Sequence, residues 1–327
     1  MTMSKAFLFI RVLCLSVCAV IAATSALAQS YPNKSLRIVV PFPPGAGTDM
    51  FARVIAAKLS ESFGQAVVVD NKGGGGATIG TDFVAKSASD GYTLLLSTAS
   101  HAINPAVYSQ LPYKTLNDFV TITQVANVPT VLVVHPSVPA NSLKELVALA
   151  KAKPGELNFG SSSSGTVFHL AGELLKSMAG IDMVHVPFRG GGPALTALLG
   201  GQVQVLFETT LTVLPYVKAG KMKALAVGSL RRTASMPDVP TIAESGYPDF
   251  SAENWYGVYA PAGTPREIVM KLNHEIVKAL NTPDVKERFT SQGAEIIANL
   301  PEQHTAFLKA EMEKWARIAK LSNAKAD

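Results

Sequence analysis

Short β-branched runs alternate with helix-spaced stretches along most of this chain, and that rhythm restricts it to an α/β fold with a mostly parallel sheet. Leu36-Arg37-Ile38-Val39-Val40 reads as a strand and residues 41–47 as a turn. Residues 48–63 read as a helix, with apolar side chains at Phe51, Val54, Ile55 and Leu59. Residues 66–69, 78–88 and 93–96 continue as strand, helix and strand. A β-α-β-α-β series implies parallel strands under covering helices.

The rhythm restarts near Thr130. Strands are expected at 131–134, 158–159, 184–186, 203–207 and 225–227, with helices opening at the capping-box spacing Ser142…Glu145 and at 166–178 and 193–199. A further strand at 255–259 precedes helices at 265–280, 283–292 and about 302–320. Those helices lack a strand partner in the second series, so they are expected to return to the first. The expected division is residues 29–127 with 252–327 as one lobe and 128–251 as the other. Two short, hinge-like crossings are expected near 124–129 and 247–255.

The first 28 residues are set aside as a secretory signal. Lys5 and Arg11 precede an apolar run at 12–23, and Ala26-Leu27-Ala28 offers small residues for cleavage before Gln29. A run of that length is short of the about 20 residues that a membrane-spanning helix needs. The residue after the cut is not cysteine, so no lipid anchor is expected. Both cysteines, Cys14 and Cys18, leave with the signal, so the mature chain has no thiol ligand or disulfide. Removing two cations and no acid takes the formal charge from +5 to +3. No block of five basic residues occurs, which argues against nucleic acid as a partner. A periplasmic location is expected, where no nucleotide pool can be assumed.

Several glycine-rich or hydroxyl-rich loops follow strands, where loops of open parallel sheets line a crevice. The turn Phe42 to Asp49, with Ala46, Gly47 and Thr48, opens a helix whose free N–H groups form an anion site; the other reading is an ordinary turn with Asp49 as cap. The run Gly73-Gly74-Gly75-Gly76 lacks the Gly-Lys-Ser/Thr ending of a phosphate loop, and Gly45-Ala46-Gly47 lacks the third glycine of a dinucleotide fingerprint, since Met50 stands there. Close backbone packing explains the four glycines. Thr98 and His101 follow the third strand.

Ser163, Gly165, Thr166 and His169 belong to a serine-rich loop at a further helix start. It departs from the nucleophile elbow because Ser161 stands where glycine is required. Arg189 and Gly190 lie on a third loop, Arg189 either pairing a carboxylate or lying on the surface. Glu208, at a strand end, either reads a polar group of the ligand or caps and solvates. The six histidines show no zinc spacing, so neither a metal nor a cofactor is expected.

Three ordered segments then carry a resemblance: Val39 to Asp49, Val186-Pro187-Phe188-Arg189-Gly190-Gly191-Gly192-Pro193-Ala194, and Trp255 to Pro265. The chain resembles the solute-binding subunits of tripartite tricarboxylate transporters, the Bordetella uptake gene (Bug) family, over essentially its whole mature length. The resemblance implies a periplasmic-binding-protein-like (Venus flytrap) fold that holds a small carboxylate between two lobes and passes it to membrane transporter subunits. It implies a binding protein, and neither an enzyme nor an oligomer is expected. Ligand contacts are implied at Ala46, Gly47 and Thr48 and at Ser163, Gly165 and Thr166, mainly through backbone groups and water. Relatives carry glycine where Ala46 stands, and Asp at the Gln204 position and near Glu208. The rival readings are a sensory binding protein that presents ligand to a receptor kinase and an extracytoplasmic serine hydrolase.

Overall fold

The computed structural model describes residues 31–326, so the expected signal peptide, 1–28, and its cleavage before Gln29 lie outside the described residues. Strand β1 (Leu36–Val40) pairs in parallel with β2 (Val67–Asn71) on one side and β3 (Thr93–Thr98) on the other. Helix α1 (Gly47–Phe63) covers them, burying Phe51, Ala52, Ile55 and Leu59 at helical spacing. Helix α2 (Thr78–Ala85) follows a tight turn at Gly75–Ala77, and α3 (Ser100–Val107) starts directly off β3.

Strand β4 (Phe119–Val134) then runs for 16 residues. Beyond it come α4 (Leu143–Ala152), β5 (Asn158–Ser161), α5 (Val167–Ala179), β6 (Val184–Pro187), α6 (Gly191–Leu199), β7 (Val205–Thr209), α7 (Thr210–Lys218) and β8 (Lys223–Val227). The chain closes with β9 (Glu253–Pro261), α8 (Arg266–Leu280), α9 (Pro283–Thr290), β10 (Glu295–Ile296) and α10 (Pro301–Ser322). At α4 the Ser142 hydroxyl accepts from the Glu145 N–H at 3.2 Å, and the Glu145 carboxylate accepts from the Asn141 N–H at 2.7 Å.

Along the sheet the order is β2-β1-β3-β9-β4-β7-β5-β6, with β8 and β10 also against β4. The outer strands on each side are parallel, as expected, while β9 and β4 run antiparallel to their neighbours. The first crossing is not a loop. Phe119 to Pro129 of β4 pairs with β9, and Thr130 to Val134 pairs with β7, so a single strand serves both sections of the sheet. Its β-branched residues favour continued pairing on both sides of Asn127. Register shifts after Thr121 and Gln124 bend it, and Pro129, which has no N–H to donate, sits at the handover. The return crossing is tied to the same point: the Ala252 N–H donates to the Gly228 carbonyl at 2.9 Å, and the Gly228 N–H donates to the Thr130 carbonyl at 2.8 Å. The Thr130 hydroxyl in turn donates to the Ala252 carbonyl at 2.5 Å.

Helices α8 and α9 pack on the first section. Phe51 of α1 stacks on Phe289 of α9 with ring centroids 4.0 Å apart, and Lys58 pairs with Asp284 at 2.9 Å. Helix α10 packs on α3, β4 and α5, and its Glu311 accepts from the indole N–H groups of Trp255 in β9 and of Trp315 in the helix itself, both at 2.8 Å.

Candidate functional site

Four helix starts converge on one cavity. Ala46, Gly47 and Thr48 come from the start of α1, Thr98 and Ser100 from the β3–α3 junction, Thr166, Val167 and Phe168 from the start of α5, and Gly191 from the start of α6. Phe42, Ser162, Glu208, Asn254 and Tyr256 complete the wall. In α1 the first intrahelical bond runs from the Met50 N–H to the Ala46 carbonyl at 3.1 Å; in α5 it runs from the Leu170 N–H to the Thr166 carbonyl at 3.1 Å. The N–H groups before those bonds have no intrahelical acceptor and stand at the positive end of each dipole. Neither Ala46 nor Thr166 caps its helix with a side chain.

The turn before α1 places these donors through Gly45, which takes the left-handed φ of +91°. Ala46 itself is extended, at φ −90° and ψ 170°, so a Cβ there costs nothing. Gly47 meets a different constraint, because a Cβ added to it would run into the Tyr256 hydroxyl.

Among the described residues no Lys, Arg or His lines the cavity, and its one carboxyl is Glu208, 4% exposed. One Glu208 oxygen, Oε1, accepts from the Thr209 N–H at 2.8 Å and faces the Thr209 hydroxyl at 3.4 Å. Burial nonetheless outweighs these bonds and pushes the carboxyl up to about 7. Tyr256 is raised as well, first by burial and then by the Glu208 charge, so its phenol stays protonated and is a donor. Two wall atoms, Ser100 Oγ and Asn254 Oδ1, are buried without a protein hydrogen-bond partner. Such atoms mark a place where a ligand or water belongs.

Of the residues expected from sequence, Phe42, Ala46, Gly47, Thr48, Thr98, Thr166 and Glu208 meet in this cavity. Ser163, Arg189 and Gly190 line a neighbouring groove that shares Phe42 and Ser162 with it and is also lined by Gly73 to Ala77. Arg189 is exposed there, on the surface rather than in the cavity. Asp49, Gly165, His169 and His101 do not line the cavity. Asp49 is the third residue of α1, not its cap, and its carboxylate turns back to accept from the Gly45 N–H at 3.0 Å and from Arg53 Nε at 2.8 Å. Burial pushes that carboxyl up, but the bonds from Arg53, Gly45 and Asn71 prevail and hold it below the usual value. Gly165, at φ +73°, forms the bend before α5, and its N–H donates to His169 Nδ1 at 3.3 Å.

His169 stacks on His185 at 4.1 Å, and burial holds it neutral, down to about 4. His101 points away into the core between Phe119 and Tyr259, 1% exposed and pushed by burial down to about 3. Sequence reasoning missed Ser100, Ser162, Val167, Phe168, Gly191, Asn254 and Tyr256. For Asn254 and Tyr256 a signal exists, since alternate residues of a strand share one face.

A serine–histidine contact does occur, between Ser161 Oγ and His185 Nε2 at 2.7 Å. Ser161 is fully buried outside the cavity wall and also donates to the Ser163 carbonyl at 3.0 Å, so the pair holds the loop's shape. Among the described residues, no three His, Cys, Asp or Glu side chains gather as a metal site would require.

A sequence profile of the tripartite tricarboxylate transporter family receptor matches residues 51–323. The chain is 42% identical to protein BugT of Bordetella pertussis, over 95% of this chain and 98% of that one. Among solved structures, a protein of R. palustris with adipate superposes with a TM-score of 0.88 at 36% identity, covering 90% of this chain and 99% of that one. MatC from Rhodopseudomonas palustris with bound malate gives 0.85 at 32%, covering 88% and 99%. The periplasmic binding protein BugD gives 0.86 at 36%, covering 90% and 99%. The fold is therefore the α/β, periplasmic-binding-protein-like one that the sequence led us to expect.

Proposed function

From its membership of the tripartite tricarboxylate transporter receptor family, to which this chain belongs, we propose that it captures a small carboxylate in the cavity between its two sheet sections and delivers it to membrane transporter subunits. It is a solute-binding protein of that family. The observation that carries the ligand class is the meeting of helix starts in a cavity without a basic side chain. Such a site favours negative charge through main-chain donors. Charge-assisted bonds contribute about 1.5–3 kcal/mol each. Three or four of them, with apolar contacts to Phe42, Val167 and Phe168, offset the cost of association and approach the about 8 kcal/mol of micromolar affinity. Adipate and malate, carried by two similar proteins, support the same class.

In this reading residues 29–127 with 252–327 form one lobe and 128–251 the other, and the lobes close over ligand about the Thr130–Gly228–Ala252 knot. The α1 turn supplies Ala46, Gly47 and Thr48; the opposite side supplies Thr166 and its neighbours. Ser163, Arg189 and Gly190 form the approach to the cavity. Residues 1–28 direct the chain to the periplasm and are removed before Gln29, and the mature protein works as a monomer. A thermal-shift screen of the mature protein against mono-, di- and tricarboxylates tests the ligand class. A carboxylate should raise the melting temperature, because it binds only the native state. Shifts for sugars or amines alone, with none for any carboxylate, would refute the proposal.

A further inference from the structure

Glu208 sets an electrostatic problem for any anion entering the cavity. Among the described residues it is the only acid on the wall, and no Lys, Arg or His lines the cavity with it. Its Oε2 lies against the start of α6, 2.8 Å from where a Cβ on Gly191 would stand. Around the carboxyl are Thr209 and Thr212 from the β7–α7 junction, Tyr256 from β9, Gly191 from α6 and Ala46 from α1. The ionised pair on α1, Asp49 with Arg53 at 2.8 Å, does not line the cavity, and Arg53 is solvent-facing. Helix starts can offset one buried negative charge, but a second carboxylate set against the first favours protonation of one of the pair.

We propose that ligand capture takes up a proton: Glu208 is neutral in the complex and donates its carboxyl proton to the ligand, so the site selects acids over ligands that bring an ammonium group to this end. The inference rests on the carboxylate reading above and adds the protonation state and the selectivity. Burial already brings Glu208 to about 7 before any ligand enters, so the extra proton is available at neutral pH. Tyr256, also protonated, is a second neutral donor on the same wall. No covalent step is involved; the proton comes from solvent and returns on release. Affinity should then be nearly flat below about pH 7 and weaken by about tenfold per pH unit above it, because the free protein must gain a proton to bind.

Isothermal titration calorimetry of the full mature protein with adipate, malate and aspartate tests this. Runs at about pH 6.5 in MES and in imidazole, and at about pH 8.5 in HEPPS and in Tris, each pair differing in ionisation heat, count the protons exchanged. We expect uptake of about one proton at the higher pH, weaker binding there, and little binding of aspartate. Glu208→Gln should bind with no proton uptake and a flat pH profile. Carboxylate binding without proton uptake by the unsubstituted protein overturns the inference while leaving the carboxylate reading intact. So does a preference for aspartate that Glu208→Gln abolishes, since that requires an ionised Glu208. Failure of every carboxylate to bind overturns both. The unsubstituted protein alone decides the question if the variant does not fold.

Discussion

Ser100 Oγ is buried at the α3 start with no protein partner, on the cavity wall. An atom kept so is a cost in the empty protein and a gain once a ligand meets it. Ser100→Ala should therefore weaken carboxylate binding by about five- to tenfold, about 1–1.4 kcal/mol, and leave the melting temperature of the free protein unchanged or slightly higher. Paired calorimetry and thermal unfolding check both halves. The buried imidazoles act on folding instead. Burial pushes His101 and His304 from 6.5 down to about 3, so each is neutral in the native state and protonates readily when unfolded. The unfolded chain then binds more protons between those values, and stability is lost as pH falls from about 6.5 toward 3. Urea midpoints across that range should decline, and His101→Phe, which suits the surrounding rings of Tyr113, Phe119 and Tyr259, should flatten the decline. At this scale the sequence made the α1 turn, Thr98, Thr166 and Glu208 legible, because each follows a strand. It could not show that His101 turns inward while Ser100 turns to the cavity, since both lie in the same short helix and only packing separates them.

One buried acid of helix α10 ties it to β9. Glu311, 8% exposed, takes both the Trp255 and the Trp315 indole N–H groups on one oxygen, and Lys314 reaches the other at 3.2 Å. Glu311→Ala leaves two buried donors unmet, so a loss of about 2–5 kcal/mol is expected in urea unfolding. Tryptophan emission should shift toward that of wetter indoles before the global transition. A variant as stable as the parent would mean that water replaces the carboxylate at no cost. Most strands and helices were legible from period alone. The helices missed, α3 and α7, carry Pro105 and Pro215 inside them and so read as broken. The continuity of β4 was hidden for a related reason. Asn127 and Pro129 look like a turn, and only the change of partner from β9 to β7 shows why a strand can tolerate them there.

Taken as a whole, the molecule is a sheet interrupted by a change of partners, with helix starts from both sections aimed at one space. On the function proposed above, closing that space over an anion would require no basic side chain, because main-chain amides would carry the charge. The direct measurement is a crystal structure of the mature protein grown with the carboxylate that raises its melting temperature furthest. The account predicts a carboxylate in the cavity with its oxygens about 2.7–3.1 Å from main-chain N–H groups at the starts of α1 and α5, directly or through one water. Ligand bound elsewhere, or gripped by side-chain cations with those amides turned away, would contradict it.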